Sequence, residues 1–499
     1  MTLAALLPLL AVLVLLGTGR ANTLQAGSIG LALTLVLGAL TEGLPMQAWL
    51  QEGAAGAWMA LRVVVVILAG LFFARCLQTW PASLPKGETA GAAPVPSRSP
   101  EPSGATGSAA RLDGRTLWVS CFALGPFVEA VTGFGVGYLI LLVHLQRLGL
   151  SGMPLLLFGL YSQTLVPWGA LAVGTVLGAQ LAGISVKDMG ANAALLQAPM
   201  HLGYLMLYWR FARQAGLTPS PSSRIQDLFW TALLLLVLWG VNRTIDLEIG
   251  GVLACGLILL LHEGIRPAGS GLRAGRRLGE VLHDSGPLVL VAVVLCLTRV
   301  PPVLDALRHG LVWQPLAGQP EFHPLASPAL WLVICGLIVL VVGRVKSGSV
   351  LTQTLRLGWR PALVTLVFVL MAQCYVGAGF AHTVATGLQS FAGPAALLMV
   401  PVFAAIAGFL TGTGAASNAM LMGMVTALAT QSGVGVPWMA AVQATVSTNL
   451  TLLSPMRIAM GIAFDGGSTI EAALYRRARM LALPAVLVGL IMVTGLLLE

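Results

Sequence analysis

The sequence predicts an all-α polytopic membrane protein with about 12–14 transmembrane helices, arranged as inverted-topology repeats that each contain a re-entrant hairpin or discontinuous helix. Three observations predict this fold. The 499 residues are 57% hydrophobic and only 9% charged, whereas a soluble domain carries about 25% charged residues. Apolar segments long enough to span a bilayer recur along the chain. Glycines and small polar residues interrupt two of these segments, one in each half of the chain.

The candidate spans are apolar segments of about 20 residues. They are 2–18, 25–44, 58–79, 117–148, 153–185, 190–210, 227–243, 248–263, 285–300, 327–343, 360–378, 392–412, 415–432, 437–455 and 480–498. No basic residue precedes the first segment and Arg20 follows it, which predicts a retained helix and not a cleaved signal peptide. The longer segments are candidates for hairpins that return to the side from which they enter.

These segments group into four predicted regions. Residues 1–80 hold N-terminal transmembrane helices, and 114–265 form a first repeat with a hairpin motif. Residues 266–499 form a second, inverted repeat with its own hairpin motif and a C-terminal helix. Between them, 81–113 is rich in Pro, Gly, Ser and Ala without an apolar period, which predicts a flexible cytoplasmic linker.

The formal net charge of +9 comes from basic residues in short loops between apolar segments. The five groups are Arg75, Lys86, Arg98, Arg111 and Arg115; Arg210, Arg213 and Arg224; Arg266, Arg273, Arg276 and Arg277; Arg344, Lys346, Arg356 and Arg360; and Arg476, Arg477 and Arg479. The positive-inside rule places these loops in the cytoplasm and both termini outside. Because no basic patch is interleaved with aromatic residues, nucleic-acid binding is not expected.

This orientation makes a prediction about the two interrupted segments. The first, Gly125–Gly137, directly follows a basic loop and enters from the cytoplasm. The second, Gly408–Ala419, is separated from a basic loop by one full span, 360–378, and enters from the outside. Hairpins that enter from opposite sides are what an inverted repeat requires.

Broken helices at membrane depth are typical of sites that bind small ions or organic anions. The first turn of a half-helix offers unpaired N–H groups, and glycine lets the backbone approach a ligand closely. The alternative is helix packing, for which Gly, Ser and Thr are also ordinary. The candidate binding residues are Thr132, Gly133, Phe134, Gly135, Gln163, Thr164, Thr411, Thr413, Ser417, Asn418, Thr448, Asn449 and Arg457.

Two charged residues lie inside these apolar segments. Glu129 has no other charge between Trp118 and Val143, and intramembrane carboxylates often carry protons. The alternative is a structural carboxylate that caps the exposed amides of the break. Arg457 can hold a carboxylate in bidentate fashion, or its side chain can extend to a membrane face.

At these residues the chain resembles the L-lactate permease family. A family motif of the form G-x-F-x-E-A-x-x-G-F-G is similar to Gly125–Gly135, and A-N-T-x-P-x-x-F-G-A is similar to Ser162–Ala170. A late motif, T-G-S-D-T-S-S-N-A-L, is similar to Thr411–Met420. The resemblance implies proton-coupled symport of a small 2-hydroxymonocarboxylate, such as lactate or glycolate, across the bacterial inner membrane. In that membrane, the orientation given by the positive-inside rule places both termini in the periplasm. Glu129 becomes the candidate proton carrier.

The chain departs from the family pattern at two positions. Gly414 stands where the family motif has Asp, and Arg457 stands where the family typically has a neutral Gln. Together they shift the local charge by two units towards positive. This leaves two consequences open: a preference for an anion with more negative charge, or an altered coupling to protons.

Three other functions compete with proton symport. A sodium-coupled or exchange carrier of another organic anion is the main alternative, and an anion channel belongs to a different class. A membrane enzyme is the least expected, because the sequence has no nucleophile–base constellation. We expect no cofactor and no metal site, because the six cysteines and seven histidines are dispersed without ligand spacing. The expected partners are a small organic acid anion, a proton and the lipid bilayer.

Overall fold

The computed structural model describes residues 2–41, 45–80, 114–217, 219–264, 286–345, 347–467 and 469–499. The predicted linker 81–113 lies outside these ranges, as do the basic residues 266–277 and Lys346. Within these ranges the regular elements are helices, and the β-structure is an isolated antiparallel bridge between Trp313 and Phe322. The predicted all-α fold is confirmed.

In chain order, the helices comprise an N-terminal group up to residue 80, a first half from 114 to 264 and a second half from 286 to 499. The N-terminal helices are α1 (Thr2–Gly17), α2 (Thr23–Thr41) and α3 (Met46–Thr79). The first half contains α4 (Gly114–Val119), a π-helical turn (Ser120–Leu124), α5 (Gly125–Thr132), α6 (Val136–Arg147), α7 (Gly152–Gly159), 3₁₀ turns at Leu160–Gln163 and Val166–Trp168, α8 (Gly169–Leu181), α9 (Val186–Gln214), α10 (Pro221–Thr244) and α11 (Gly250–Gly264).

The second half contains α12 (Gly286–Leu297), α13 (Pro301–Gly310), α14 (Pro328–Val342), α15 (Ser347–Gly377), α16 (Phe380–Ala392), a 3₁₀ turn (Gly393–Leu398), α17 (Met399–Thr411), α18 (Gly414–Gln431), α19 (Val436–Leu450), a 3₁₀ turn (Thr451–Leu453), α20 (Pro455–Phe464), α21 (Glu471–Ala478), a 3₁₀ turn (Arg479–Leu481) and α22 (Ala482–Leu498). Hydroxyl side chains accept a hydrogen bond from a first-turn N–H at several of the helix starts, which satisfies an otherwise unpaired donor. They are Ser185, Ser220, Ser327, Thr413 and Ser454.

The lengths and compositions of the described helices fit a membrane protein. Six helical segments are long and apolar enough to cross a bilayer, with 380–411 and 471–498 each counted as one segment, or up to eight if each of two bent pairs is one span. Four shorter apolar helices of 10–17 residues accompany them. Large apolar side chains such as Leu236 (63%), Val341 (77%) and Ile491 (70%) are exposed on helix surfaces, as expected for lipid-facing positions. The predicted multi-pass architecture with interrupted spans is confirmed, and the predicted number of 12–14 spans stays a prediction.

Each half contains a hairpin followed by a broken span. In the first half, α5 and α6 fold back on each other around a tip at residues 133–135. Residues 152–181 then form a span that bends by 52° where the helix is interrupted. In the second half, α17 and α18 meet at a tip at 412–413, and α19 and α20 flank a break at 451–454. The same order of parts therefore occurs twice.

The two hairpins point to opposite sides of the molecule. Gly135 lies against Arg457, and Tyr138 lies against Gly461, so α6 and α20 run parallel away from the first tip. A short loop at residues 148–151 joins α6 to α7, which packs against α6 and runs back to the break. Because α8 continues in roughly the direction of α7, α6 and α8 lead to opposite sides.

The return arm of the second hairpin, α18, runs in the direction of α8 and not in that of α6. Gly174 lies against Ala415, and Gly178 lies against Asn418, so α8 and α18 run parallel away from the second tip. The return arms of the two hairpins, α6 and α18, therefore leave their tips towards opposite sides. This is the inverted relationship that the sequence predicts.

The remaining helices surround and support these parts. Helix α3 crosses beside the first hairpin, where a methyl group at Gly70 would lie 3.2 Å from the carbonyl oxygen of Thr132. Helices α3 and α15 are antiparallel, with Gly56 against Leu370 and Gly358 against Leu68. The first hairpin tip is thus packed against a long, continuous helix on one side.

An ion cluster around the buried residue Arg299 joins one loop of the first half to two segments of the second half. The Arg299 guanidinium lies 2.9 Å from the carboxylate of Asp246 and 2.5 Å from that of Glu248. It also donates to the carbonyl oxygen of Ala326 at 2.9 Å. Only 5% of Arg299 is exposed, so the loop after α10, the bend after α12 and the start of α14 are fixed to one another.

Candidate functional site

The first hairpin tip is a left-handed turn held by a carboxylate. Gly133, Phe134 and Gly135 all have positive φ, at 69°, 55° and 80°. Glu129 accepts hydrogen bonds from the N–H of Gly135 on Oε1 and from the N–H of Gly137 on Oε2, both at 3.0 Å. The side chain of Glu129 therefore caps the start of α6, as in the structural alternative considered for this residue.

Close approach of the hairpin arms requires glycine. A methyl group at Gly137 would lie 2.6 Å from the backbone nitrogen of Glu129 and 2.7 Å from its Cβ. One at Gly133 would lie 2.3 Å from Cβ of Ala170. Ala170 begins a second left-handed turn in the interrupted start of α8, continued by Leu171 and Ala172. Non-glycine residues in this conformation are strained, and such strain is concentrated at functional sites.

Arg457 contributes a positive charge from the other half of the chain. It lies in the first turn of α20 and is 3% exposed. Its Nη2 is 3.7 Å from Oε1 of Glu129, and its Nη1 donates to Oε1 of Gln163 and, at 3.2 Å, to the hydroxyl of Thr451. The side chain thus extends into the protein and not to a membrane face. It connects the second broken span to both the hairpin and the broken span of the first half.

The second hairpin tip reaches the same broken span. Gly412 has φ of 68°, and a methyl group there would lie 3.2 Å from the hydroxyl of Ser454. The hydroxyl of Thr413 accepts from the N–H of Ala416 and so caps α18. Ser454 in turn accepts from the N–H of Arg457 at 3.4 Å. The two predicted breaks therefore converge on residues 451–457.

Asn418 connects the halves at a second point. Its Nδ2 donates to the carbonyl oxygen of Gly174 in α8 at 2.9 Å, and its Oδ1 accepts from the hydroxyl of Ser447 at 3.3 Å. The hydroxyl of Ser417 donates to that of Ser447 at 3.1 Å. The predicted residues Ser417 and Asn418 thus lie in a buried polar cluster between α8, α18 and α19.

Other predicted residues are directed elsewhere. Four threonine hydroxyls donate to carbonyl oxygens three or four residues earlier in their own helical segments. They are Thr132, Thr164, Thr411 and Thr448. Asn449 accepts from Tyr204 and donates to Gln197, both on α9. These contacts use the hydroxyl protons of the threonines and both polar atoms of the Asn449 amide. Binding roles for these side chains remain predictions.

Several polar residues near the breaks were not among the candidates. Thr451 contacts Arg457, and the buried phenol of Tyr138 lies where α6 meets α20. Gln197 donates to the carbonyl oxygen of Thr164 at 2.9 Å and contacts Nδ1 of His201. A tyrosine three positions after Gly135 in an otherwise apolar segment was the available signal for Tyr138; the α9 residues offered none, because their segment is not interrupted.

A family model and a sequence relative point to the same family as the sequence motifs. A family model described as L-lactate permease matches residues 315–498. An L-lactate permease of Streptococcus iniae is 22% identical over 347 residues, which cover 65% of this chain and 72% of that protein. Among solved structures, the Alcanivorax borkumensis YdaH transporter, described as having an unusual topology, matches over 99% of this chain and 98% of its own, with 17% identity and a TM-score of 0.44. The resemblance to the L-lactate permease family is confirmed.

Proposed function

We propose that this chain, which resembles the L-lactate permeases, is a secondary active transporter that carries a small 2-hydroxymonocarboxylate, such as lactate or glycolate, together with a proton. One observation supports the proposal most: breaks from two inverted halves converge on the buried pair formed by Glu129 and Arg457. Inverted repeats with discontinuous helices at their interface are the architecture of many secondary transporters. We propose no enzymatic activity and no cofactor.

Arg457 is the proposed carboxylate-binding group. A guanidinium presents several N–H donors in a plane, which matches the two oxygens of a carboxylate. In the described structure Nη1 is used by Gln163 and Thr451, whereas Nη2 is 3.7 Å from Glu129. That distance is longer than a good charge-assisted hydrogen bond of about 2.7–2.9 Å. A substrate carboxylate can therefore replace Glu129 on this side of the guanidinium.

Glu129 is the proposed proton carrier. In the empty site the Glu129 carboxylate and the Arg457 guanidinium have opposite charges, which sum to zero. A bound monocarboxylate makes the sum negative, and a proton on Glu129 returns it to zero. The empty and the loaded carrier then have equal charge, so both can change conformation at similar cost in a medium that penalises charge.

This coupling also removes an electrical barrier. Moving a monovalent anion into a cell against an inside-negative potential costs about 2.3 kcal/mol per 100 mV. Co-transport with one proton cancels that cost and lets a pH gradient drive uptake. With Gly414 and Arg457 in place of the family's Asp and Gln, Glu129 and Arg457 are the charges counted in this scheme, and the empty site sums to zero. One proton per bound monocarboxylate then restores that sum.

The proposed orientation follows the charges of the loops. The described basic groups Arg210–Arg224 and Arg476–Arg479 lie between spans, and the positive-inside rule places them in the cytoplasm of a bacterial cell. Both termini are then periplasmic, and the first hairpin enters from the cytoplasm. In this proposal residues 114–265 and 266–499 are the two repeats, 1–80 are accessory helices, and 81–113 are the cytoplasmic linker.

Uptake by proteoliposomes tests the function. The purified protein is reconstituted, and labelled L-lactate or glycolate is added outside at acidic pH with an alkaline interior. We expect accumulation that an uncoupler abolishes and that a sodium gradient does not replace. Accumulation driven by sodium, or exchange alone without net uptake, would replace proton symport with the sodium-coupled or exchange carrier. Flux of channel size that no gradient concentrates would contradict a carrier.

A further inference from the structure

Two buried polar atoms beside the first hairpin tip have no hydrogen-bond partner among the described residues. They are the phenol oxygen of Tyr138 and Nε of Arg457. Tyr138 is 0% exposed and Arg457 is 3% exposed. A buried donor without a partner costs about 1–3 kcal/mol, so such groups need an explanation.

Both atoms belong to the same interface, one helical turn apart. Gly135 at the start of α6 lies 4.0 Å from Nε of Arg457, measured from a methyl group built on the glycine. Tyr138 lies one turn further along α6, and a methyl group at Gly461, one turn beyond Arg457, would be 2.2 Å from its phenol oxygen. The two groups therefore lie one helical turn apart in the same contact between α6 and α20.

The chemistry of these two groups defines a ligand. A guanidinium nitrogen binds a carboxylate, and a neutral phenol is both a donor and an acceptor, which suits a hydroxyl group. A ligand with a second carboxylate would place it beside the neutral phenol, where it would lose its hydration without a cation to compensate. A carboxylate with a hydroxyl on the neighbouring carbon offers a hydrogen-bond partner to each of these two groups.

We infer that Tyr138 is the specificity-determining residue for the 2-hydroxyl group of the substrate, beside Arg457 on its carboxylate. This inference rests on the proposed function. It explains why two unpaired donors persist in a buried interface: the substrate pairs them. It also explains Gly461, since any larger residue there would displace the phenol.

The test compares L-lactate with propionate, which has the same carbon skeleton without the hydroxyl. We expect the wild type to take up lactate in preference to propionate by about tenfold or more. Propionate has no hydroxyl, so it leaves the polar group of the site that pairs with the hydroxyl without a partner. Tyr138→Phe should lower the affinity for lactate about tenfold and leave that for propionate within about twofold. Its thermal midpoint should be unchanged or higher, because it removes an unpaired hydroxyl.

Tyr375→Phe is the matched control. Tyr375 is also buried in a membrane helix, but its hydroxyl donates to the carbonyl oxygen of Ala5 at 2.9 Å. We expect this variant to lose stability and to keep the preference for lactate. The inference is overturned if Tyr138→Phe lowers the affinities for lactate and propionate equally. It is also overturned if the variant prefers lactate as strongly as the wild type does.

Gly461→Ala provides a second variant. Its methyl group would push the phenol away, so we expect the preference for lactate to fall; added to Tyr138→Phe, it should change the preference no further. An equal effect in both backgrounds overturns the inference, because Gly461 would then act independently of the phenol. The proposed function fails separately, if the wild type accumulates neither acid in response to a pH gradient.

Discussion

The guanidinium of Arg457 lies 3.7 Å from the carboxylate of Glu129, although the two residues come from opposite halves of the chain. Their side chains are 4% and 2% exposed. A buried charge without a partner is costly, and each residue supplies the opposite charge for the other. The pair also sits where both helix breaks converge, so the charge balance of the site and the packing of the two halves depend on the same contact.

Glu129→Gln tests the coupling. With one proton carried per anion, wild-type protein should concentrate lactate about tenfold for each unit of pH gradient. The glutamine variant cannot take up a proton, so the empty carrier keeps the charge of Arg457 and returns slowly. We expect no accumulation from a pH gradient but retained lactate–lactate counterflow, both measured in proteoliposomes. Loss of counterflow to the same degree would show that Glu129 is needed only for the structure of the hairpin.

Arg457→Gln tests the carboxylate site by introducing the residue typical of the family. It removes the charge-assisted contact, and we expect the affinity for lactate to fall about tenfold or more, measured as the half-saturating concentration for uptake. Arg457→Lys keeps the charge but not the planar pair of donors, so its affinity should lie between those of the two proteins.

The matched control for Arg457 is Arg243→Gln. Arg243 pairs with Asp188 at 3.6 Å on an exposed surface, with 59% of its side chain accessible. We expect this variant to transport as the wild type does. Equal affinities for Arg457→Gln and Arg243→Gln would rule out a direct role of the buried guanidinium.

Gly408→Ala tests the packing of the second hairpin against the second broken span. The new methyl group would lie 1.8 Å from the carbonyl oxygen of Ser447. Because backbone would have to move, we expect a loss of about 3 kcal/mol or more and a strongly lowered thermal midpoint in detergent. Gly240→Ala, at a helical site where no atom of another described element lies within 4 Å of the added methyl group, should be neutral or stabilising. A normal midpoint for Gly408→Ala would contradict the close contact.

Arg299→Met tests the buried ion cluster. Without the cation, the carboxylates of Asp246 and Glu248 remain together at a partly buried position. Removing one partner of a buried ion pair costs about 3–5 kcal/mol, so we expect a clear fall of the thermal midpoint. Arg243→Met at the exposed pair with Asp188 should change stability by about 0–1 kcal/mol. Similar midpoints for the two variants would show that the cluster adds little to stability.

The candidate site could be predicted in part, because composition at membrane depth is restrictive. Lipid offers no hydrogen bonds, so glycines and polar residues in an apolar segment mark a break. This reasoning located both hairpin tips and selected Glu129 and Arg457. It could not choose between an amide-capping and a proton-carrying Glu129; the structure shows the capping contacts with Gly135 and Gly137, and proton transfer remains a prediction.

The sequence did not predict which neighbouring helix each polar side chain meets. Asn418 follows the break at 412–413 and Asn449 precedes the break at 451–454. Asn418 donates a hydrogen bond to Gly174 in α8, whereas Asn449 donates one to Gln197 in α9. Which face of a helix meets which neighbour depends on the rotation of the helix when it packs, and that is a property of the whole assembly. The left-handed turn at Ala170–Ala172 is a second example, since alanine and leucine favour right-handed helix.

By itself, the sequence determined the all-helical membrane fold, the twofold repetition of its parts and the places where helices break, because hydropathy and glycine act locally along the chain. Only the tertiary structure decided that Arg457 reaches Glu129 and Gln163, and that the phenol of Tyr138 stays unpaired against Gly461. Those contacts join residues far apart in the chain, and they depend on how two oppositely oriented halves pack, which no local pattern records.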